Sequence, residues 1–143
     1  MNVGPAGAAR LSGMSEHVSR IRTAYEAFSR GDLDGALAPL DENIVWHQAQ
    51  GLPHGGVYHG LEEVRRVVFD PIEESWWDGF DARPETFLDG GDAVVVLGRY
   101  TATAKATGRP LDVPFVHVWE VRDGRVAVFR QFTDTYGWRA ALG

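Results

Sequence analysis

The residues of this 143-residue chain best suited to moving protons gather near its carboxyl end. Asp123-Gly124 lies between two β-rich runs, and Asp-Gly favours a type I′ hairpin because both central residues take positive φ. Read as a two-residue loop, it pairs Arg122 with Arg125. Counting back then sets Val113 opposite Asp134, Phe115 opposite Phe132, His117 opposite Arg130 and Trp119 opposite Val128. Strand alternation gathers these on one face. A histidine, an arginine and an aspartate among three aromatics is not a simple core. Burying charge without partners is costly or shifts the pKa, so the set implies mutual pairing or a cavity that holds water or a ligand. An enolising reaction asks for these things together: a base near an acidic C–H, a donor for the developing oxyanion, and an apolar wall that excludes water. The opposite face, with Val116, Val118, Glu120, Ala127, Phe129, Gln131 and Thr133, is also mixed and suits contact with another subunit. A one-residue bulge at the turn would exchange every one of these neighbours.

The elements that must carry these residues follow from periodicity. Over residues 15–30, Val18, Ile21, Tyr25 and Phe28 recur at spacings of three and four, the stripe of an amphipathic helix, and Gly31 stops it. Asp32 can cap a second helix through Leu33, Leu37 and Leu40. A short third runs from Leu61 to Phe69, where Pro71 breaks or kinks it. Strands are expected over 44–49, 80–88, 93–103, 111–121 and 125–135, punctuated by Gly90-Gly91, Thr107-Gly108 and Asp123-Gly124. Helices first and an antiparallel meander afterwards describe an α+β domain with helices on one face of the sheet.

Length supports one domain and one site. Residues 1–13, rich in Gly and Ala, lack the apolar core and basic leader of a signal peptide and read as a disordered tail; the folded domain is expected over 14–143. A net charge of −6 argues against binding a phosphate backbone, so nucleic acid is not an expected partner. The absence of cysteine excludes disulfides and thiolate chemistry, and no stretch suits a bilayer. A cytoplasmic protein is expected, with no membrane partner.

The run from Tyr25 to Gly35 (YEAFSRGDLDG), followed by Asp41-Glu42-Asn43-Ile44-Val45-Trp46, resembles the opening of the nuclear transport factor 2-like superfamily: helix, Gly-Asp turn, second helix, first strand. The stretch His117 to Val126 (HVWEVRDGRV), continuing through Arg130 to Asp134, resembles the last hairpin of its branch of SnoaL-like polyketide cyclases and ketosteroid isomerases. The resemblance implies a cone: a curved, mixed, mostly antiparallel sheet packed with three helices from the amino-terminal half, enclosing a hydrophobic small molecule. It places His47 where the isomerases keep a general-base aspartate, and His117 where they keep a protonated, donating aspartic acid. Asp134 falls at the cyclases' acid/base aspartate, and Tyr25 within one residue of the isomerases' oxyanion tyrosine. Histidines at both isomerase carboxyl positions depart from steroid isomerisation.

Asp134 or His47 can therefore serve as base, and His117, Tyr25 or Arg130 as donor. Trp46, Phe115, Trp119, Phe132, Trp76 and Trp77 can line the cavity. Plainer roles stand beside these. Asp134 can pair with Arg130, His117 can be a satisfied core histidine, and Trp76-Trp77 suits a packed helix end or dimer contact better than a substrate clamp. His47, His54 and His59, at spacings of seven and five without a carboxylate, do not make a metal site. The glycine-rich stretch around His54 reads as a tight turn near the pocket mouth.

The expected activity is proton transfer without a cofactor on a hydrophobic carbonyl compound, an aldol-type cyclisation or isomerisation in secondary metabolism. Water addition to an epoxide or double bond is the other enzymatic reading; a non-catalytic binding or dimerisation module is the third. A homodimer is expected in each case, because an open sheet leaves one face to cover.

Overall fold

A computed structural model describes residues 5–143, with side chains from Glu16 onward. Helix α1 spans Pro5–Ser29. Residues 5–13 of the expected tail thus carry helical backbone, and the remainder of that tail, 1–4, lies outside the described residues. The helix buries the expected stripe, with Ile21 and Tyr25 in the core and Val18 and Phe28 packed against it. Asp32 caps α2 (Leu33–Leu37), its carboxylate accepting from the Gly35 N–H.

The sheet has six strands: β1 (Leu40–Gln48), β2 (Gly56–His59), β3 (Trp77–Asp89), β4 (Ala93–Ala104), β5 (Pro110–Arg122) and β6 (Arg125–Thr133). Their order is β2-β1-β6-β5-β4-β3. The last four form the expected antiparallel meander, whereas β1 joins β6 in parallel, which makes the sheet mixed. This is the α+β cone expected, a curved open sheet with helices against its inner face. Strand β5 shows why the chain folds this way: Leu111, Val113, Phe115, His117, Trp119 and Val121 are all buried, and the residues between them are not.

Two elements were not anticipated from the sequence. Strand β2 lies in the glycine-rich stretch read as a turn. Helix α4 (Thr135–Leu142) takes the place of the expected end of the last strand and buries Trp138 and Ala141. The third helix also runs further than expected. Short α3 (Leu61–Val64) continues into wider π-type turns at Arg65–Phe69 and Ile72–Trp76, and Pro71 is accommodated between them.

Bulges decide which side chains face inward. At the β5–β6 turn, Asp123 and Gly124 both take positive φ and Arg122 pairs with Arg125, as expected. Ala127 is then skipped: Val121 pairs with Val126 but Glu120 with Val128. From there the partners are Trp119 with Phe129, His117 with Gln131, Val116 with Phe132 and Phe115 with Thr133. The unbulged count is thereby corrected. Phe129 and Gln131 join the inner face, and Arg130 and Phe132 move to the outer one. In β3 a second irregularity, between Asp78 and Asp81, includes Gly79 at φ +63° beside Phe80, which packs among Phe28, Tyr100 and Trp138.

Candidate functional site

His117 is the centre of the inner face. It is 5% exposed and has one ring nitrogen on each side in contact with a tyrosine: Nδ1 lies 2.6 Å from the Tyr25 hydroxyl and Nε2 2.5 Å from that of Tyr100. Each hydroxyl also accepts from outside the trio. Trp119 Nε1 donates to Tyr25 at 3.1 Å, and Gln131 Nε2 to Tyr100 at 2.8 Å. Gln131 is itself oriented by the Ala49 N–H, which donates to its Oε1 at 2.8 Å. The Phe115 ring lies flat on the imidazole, centroids 3.9 Å apart.

Burial pushes the His117 pKa down to about 3, so the ring is neutral at physiological pH. Burial also raises both tyrosines, Tyr25 despite the Trp119 hydrogen bond and Tyr100 despite that from Gln131. All three groups are therefore uncharged, and their hydrogens can be counted. A neutral imidazole carries one N–H and each tyrosine one O–H, three hydrogens for the two gaps between the rings. Whichever tautomer His117 adopts, one hydroxyl accepts twice and its own hydrogen is left over. With the proton on Nδ1 it is that of Tyr25; with the proton on Nε2 it is that of Tyr100.

Beside this trio lies a cavity of about 70 Å³ walled by Tyr25 and Phe28 from α1, Trp46 from β1, Val68, Phe69 and Ile72 from the third helix, Phe80, Trp119, Phe129 and Trp138. Its polar lining is small: Tyr25, Tyr100, His117, Gln48, Gln131 and His54. No carboxylate lines it among the described residues. The volume exceeds the ~30 Å³ share of one water. It falls well short of the ~300–1,000 Å³ of pockets for drug-sized ligands. Phe28, Phe69, Ile72 and Phe80 also line an outer cleft of about 500 Å³, so these four side chains stand between the cavity and the larger space.

Of the expected site residues, the structure brings Tyr25, His117, Trp46 and Trp119 to the cavity, with Phe115 directly behind His117. The others lie elsewhere. Asp134 is the N-cap of α4, exposed, its carboxylate accepting from Gly137 N–H at 3.0 Å. It makes no ion pair with Arg130, which instead donates to Glu120 at 3.0 Å. His47 points to the outer face, where Arg130 Nη1 lies 3.3 Å from its Nε2; burial foremost, and then Arg130, lower its pKa. Phe132, on the outer face, is 56% exposed. Trp77 is buried against Trp138 and Phe80, and Trp76 stacks over His54 at 6.5 Å. The three histidines 47, 54 and 59 do not converge, and no described cluster of His, Asp and Glu is placed to hold a metal.

Sequence reasoning missed Tyr100, Gln131 and Gln48. Tyr100 had a signal, since Val94, Val96 and Tyr100 share one face of β4. Gln131 was hidden by the bulge.

A cone whose inner face holds an aromatic cavity, with no carboxylate, lysine or arginine among its described lining residues, defines a class of small pocket domains, and comparison with known proteins agrees. The family model of the SnoaL-like domain matches residues 21–129, and the chain belongs to that family, within the nuclear transport factor 2-like (NTF2-like) superfamily. An NTF2-like protein from Burkholderia thailandensis E264 superposes with a TM-score of 0.82 at 32% identity, covering 87% of this chain and 95% of that one. Bal32a, from a soil-derived mobile gene cassette, gives 0.79 at 28% identity over 91% and 98%. A Jannaschia sp. CCS1 protein assigned by likeness to the SnoaL-like polyketide cyclases gives 0.75 at 20% identity over 90% and 92%, a likeness of fold alone. No curated protein matches the chain in sequence.

Proposed function

We propose that this domain is an acid/base enzyme, needing no cofactor, that takes a compact hydrophobic carbonyl compound into the cavity and polarises its carbonyl through the Tyr25–His117–Tyr100 trio. The observation that carries this is the surplus hydroxyl hydrogen, held in an apolar enclosure where a hydrogen bond to developing negative charge is worth most. Polarisation of the carbonyl acidifies the adjacent C–H, the first step of both an isomerisation and an aldol-type cyclisation. As the carbonyl oxygen gains charge, the donating tyrosine is supported by the hydrogen bond it accepts from the neutral His117 ring.

The test is exchange of α-hydrogens. The protein is incubated with cyclohexanone in deuterium oxide, and deuterium incorporation is followed by NMR against the uncatalysed rate. Accelerated exchange that drops at least tenfold in Tyr25→Phe or Tyr100→Phe supports the reading. No acceleration despite saturable binding removes the enzymatic part and leaves a carbonyl-binding domain. That second reading is favoured by the lack of a carboxylate base among the described lining residues. Epoxide opening, which relies on a carboxylate to activate water, draws no support from this lining.

The same proposal includes a homodimer through the outer face of the sheet. Leu97, Val116 and Phe132 lie side by side there, with Val57 nearby on the edge strand. Leu97, Phe132 and Val57 are 38%, 56% and 46% exposed.

A further inference from the structure

His54 lines the cavity from the loop between β1 and β2, and its surroundings fix its tautomer. Trp46 Nε1 donates to Gln48 Oε1 at 2.8 Å, which settles which end of the Gln48 amide is oxygen. The other end, Nε2, lies 3.1 Å from His54 Nε2 and has only hydrogens to offer. His54 Nε2 must therefore accept, and the ring proton sits on Nδ1. That Nδ1 is buried and has no hydrogen-bond partner among the described residues. The placement is held from both sides. Tyr58 donates its hydroxyl to the His54 carbonyl at 2.7 Å, and Gly55 lies so close to the Ala49 carbonyl that no side chain would fit there. Burial lowers the pKa of the ring, which keeps it neutral. A buried N–H left unpaired is destabilising, and a chain of three oriented side chains that ends on such a group is an arrangement that a bound acceptor would complete.

We propose that His54 Nδ1–H is a second ligand-binding donor, so that the ligand of this cavity is a compact apolar molecule with two acceptor oxygens: one for the tyrosine–histidine trio and one for His54. This rests on the carbonyl-binding reading above and narrows it from monoketones to dicarbonyl or similarly dioxygenated compounds. Gln48 is a positioning residue, acting through His54.

The experiment measures the affinities of cyclohexanone, 1,3-cyclohexanedione and 1,4-cyclohexanedione for the wild-type protein and for His54→Phe by calorimetry. Nitrogen-15 NMR of the His54 ring in the wild-type protein accompanies it. The expected result is an Nδ1–H tautomer and at least one dione bound about tenfold more tightly than cyclohexanone. In His54→Phe the ratio of dione affinity to cyclohexanone affinity, each measured in the variant, falls to about one. His54→Asn, whose amide can stand in for Nδ1–H, restores part of the preference. A proton found on Nε2, the absence of any dione preference, or a dione preference undiminished in His54→Phe overturns the role of His54 and leaves the first reading standing. No saturable binding of any of the three ketones to the wild-type protein overturns both.

Discussion

A histidine held between two tyrosines without a carboxylate in reach has only one way to avoid an unpaired charge, which is to stay neutral, and burial enforces that by holding the His117 pKa down to about 3 against an ordinary 6.5. The unfolded chain therefore takes up a proton before the folded one does. Stability is whole above about pH 6.5 and declines as pH falls toward 3, with a slope approaching about 1.4 kcal/mol per pH unit from this one group. Urea unfolding at pH 7, 6, 5 and 4 measures it, and His117→Gln is expected to flatten the profile. An unchanged slope would mean that His117 does not hold the neutral state described. Tyr100→Phe removes the acceptor for the Gln131 amide as well as one partner of His117. It is expected to cost about 1–3 kcal/mol in stability. Asp134→Ala separates the two accounts of Asp134. As a helix cap its loss costs about 1 kcal/mol and leaves cyclohexanone exchange untouched, whereas a collapse of exchange in a folded variant would restore it as the base.

At the level of elements, the site depends on how closely β4 approaches β3 and β5. A Cβ on Gly98 would run into the Arg83 carbonyl and come within 2.5 Å of the Phe115 ring, the ring that backs His117. Gly98→Ala is expected to destabilise by at least about 1–3 kcal/mol, the usual cost of overpacking. It should also displace the aromatic and imidazole resonances of Phe115 and His117 in NMR spectra; an unperturbed spectrum would contradict this packing. Helices α1 and α2 and the meander are legible in the sequence because their signals are local: a three-and-four stripe ending at Phe28, a cap at Asp32, an Asp-Gly turn at residue 123. The inner face was legible only on β5, where alternation runs unbroken through His117. On β6 a single skipped residue, Ala127, reversed the assignment of Gln131, Arg130 and Phe132, and nothing local to the turn announces it. Helix α4 was missed for a different reason. Asp134-Thr135-Tyr136-Gly137 repeats the Asp-x-x-Gly pattern by which Asp32 caps α2, carboxylate to glycine N–H in both, but a run of strand-forming residues ahead of it absorbed the signal.

For the molecule as a whole, two surfaces follow from one sheet: an inner face that closes on a small cavity and an outer face that stays half-exposed. Phe132→Glu is expected to convert a dimer to monomer in sedimentation at micromolar concentration without altering ketone binding, since Phe132 lies on the opposite face from His117. A wild-type protein that sediments only as monomer would remove the dimer. Phe28, Phe69, Ile72 and Phe80 line both the cavity and the outer cleft, so a ligand the size of cyclohexanone is expected to seat where the two spaces meet. In the proposed function the cavity presents a neutral hydroxyl hydrogen to a carbonyl oxygen. The most direct measurement is the carbon-13 shift of carbonyl-labelled cyclohexanone bound to the protein. A downfield displacement relative to the ketone in an apolar solvent is expected, reduced in Tyr25→Phe or Tyr100→Phe according to which hydroxyl carries the surplus hydrogen, and reduced further when both are replaced. A bound ketone whose carbonyl resonance is undisplaced, or is displaced equally in all three variants, would contradict it.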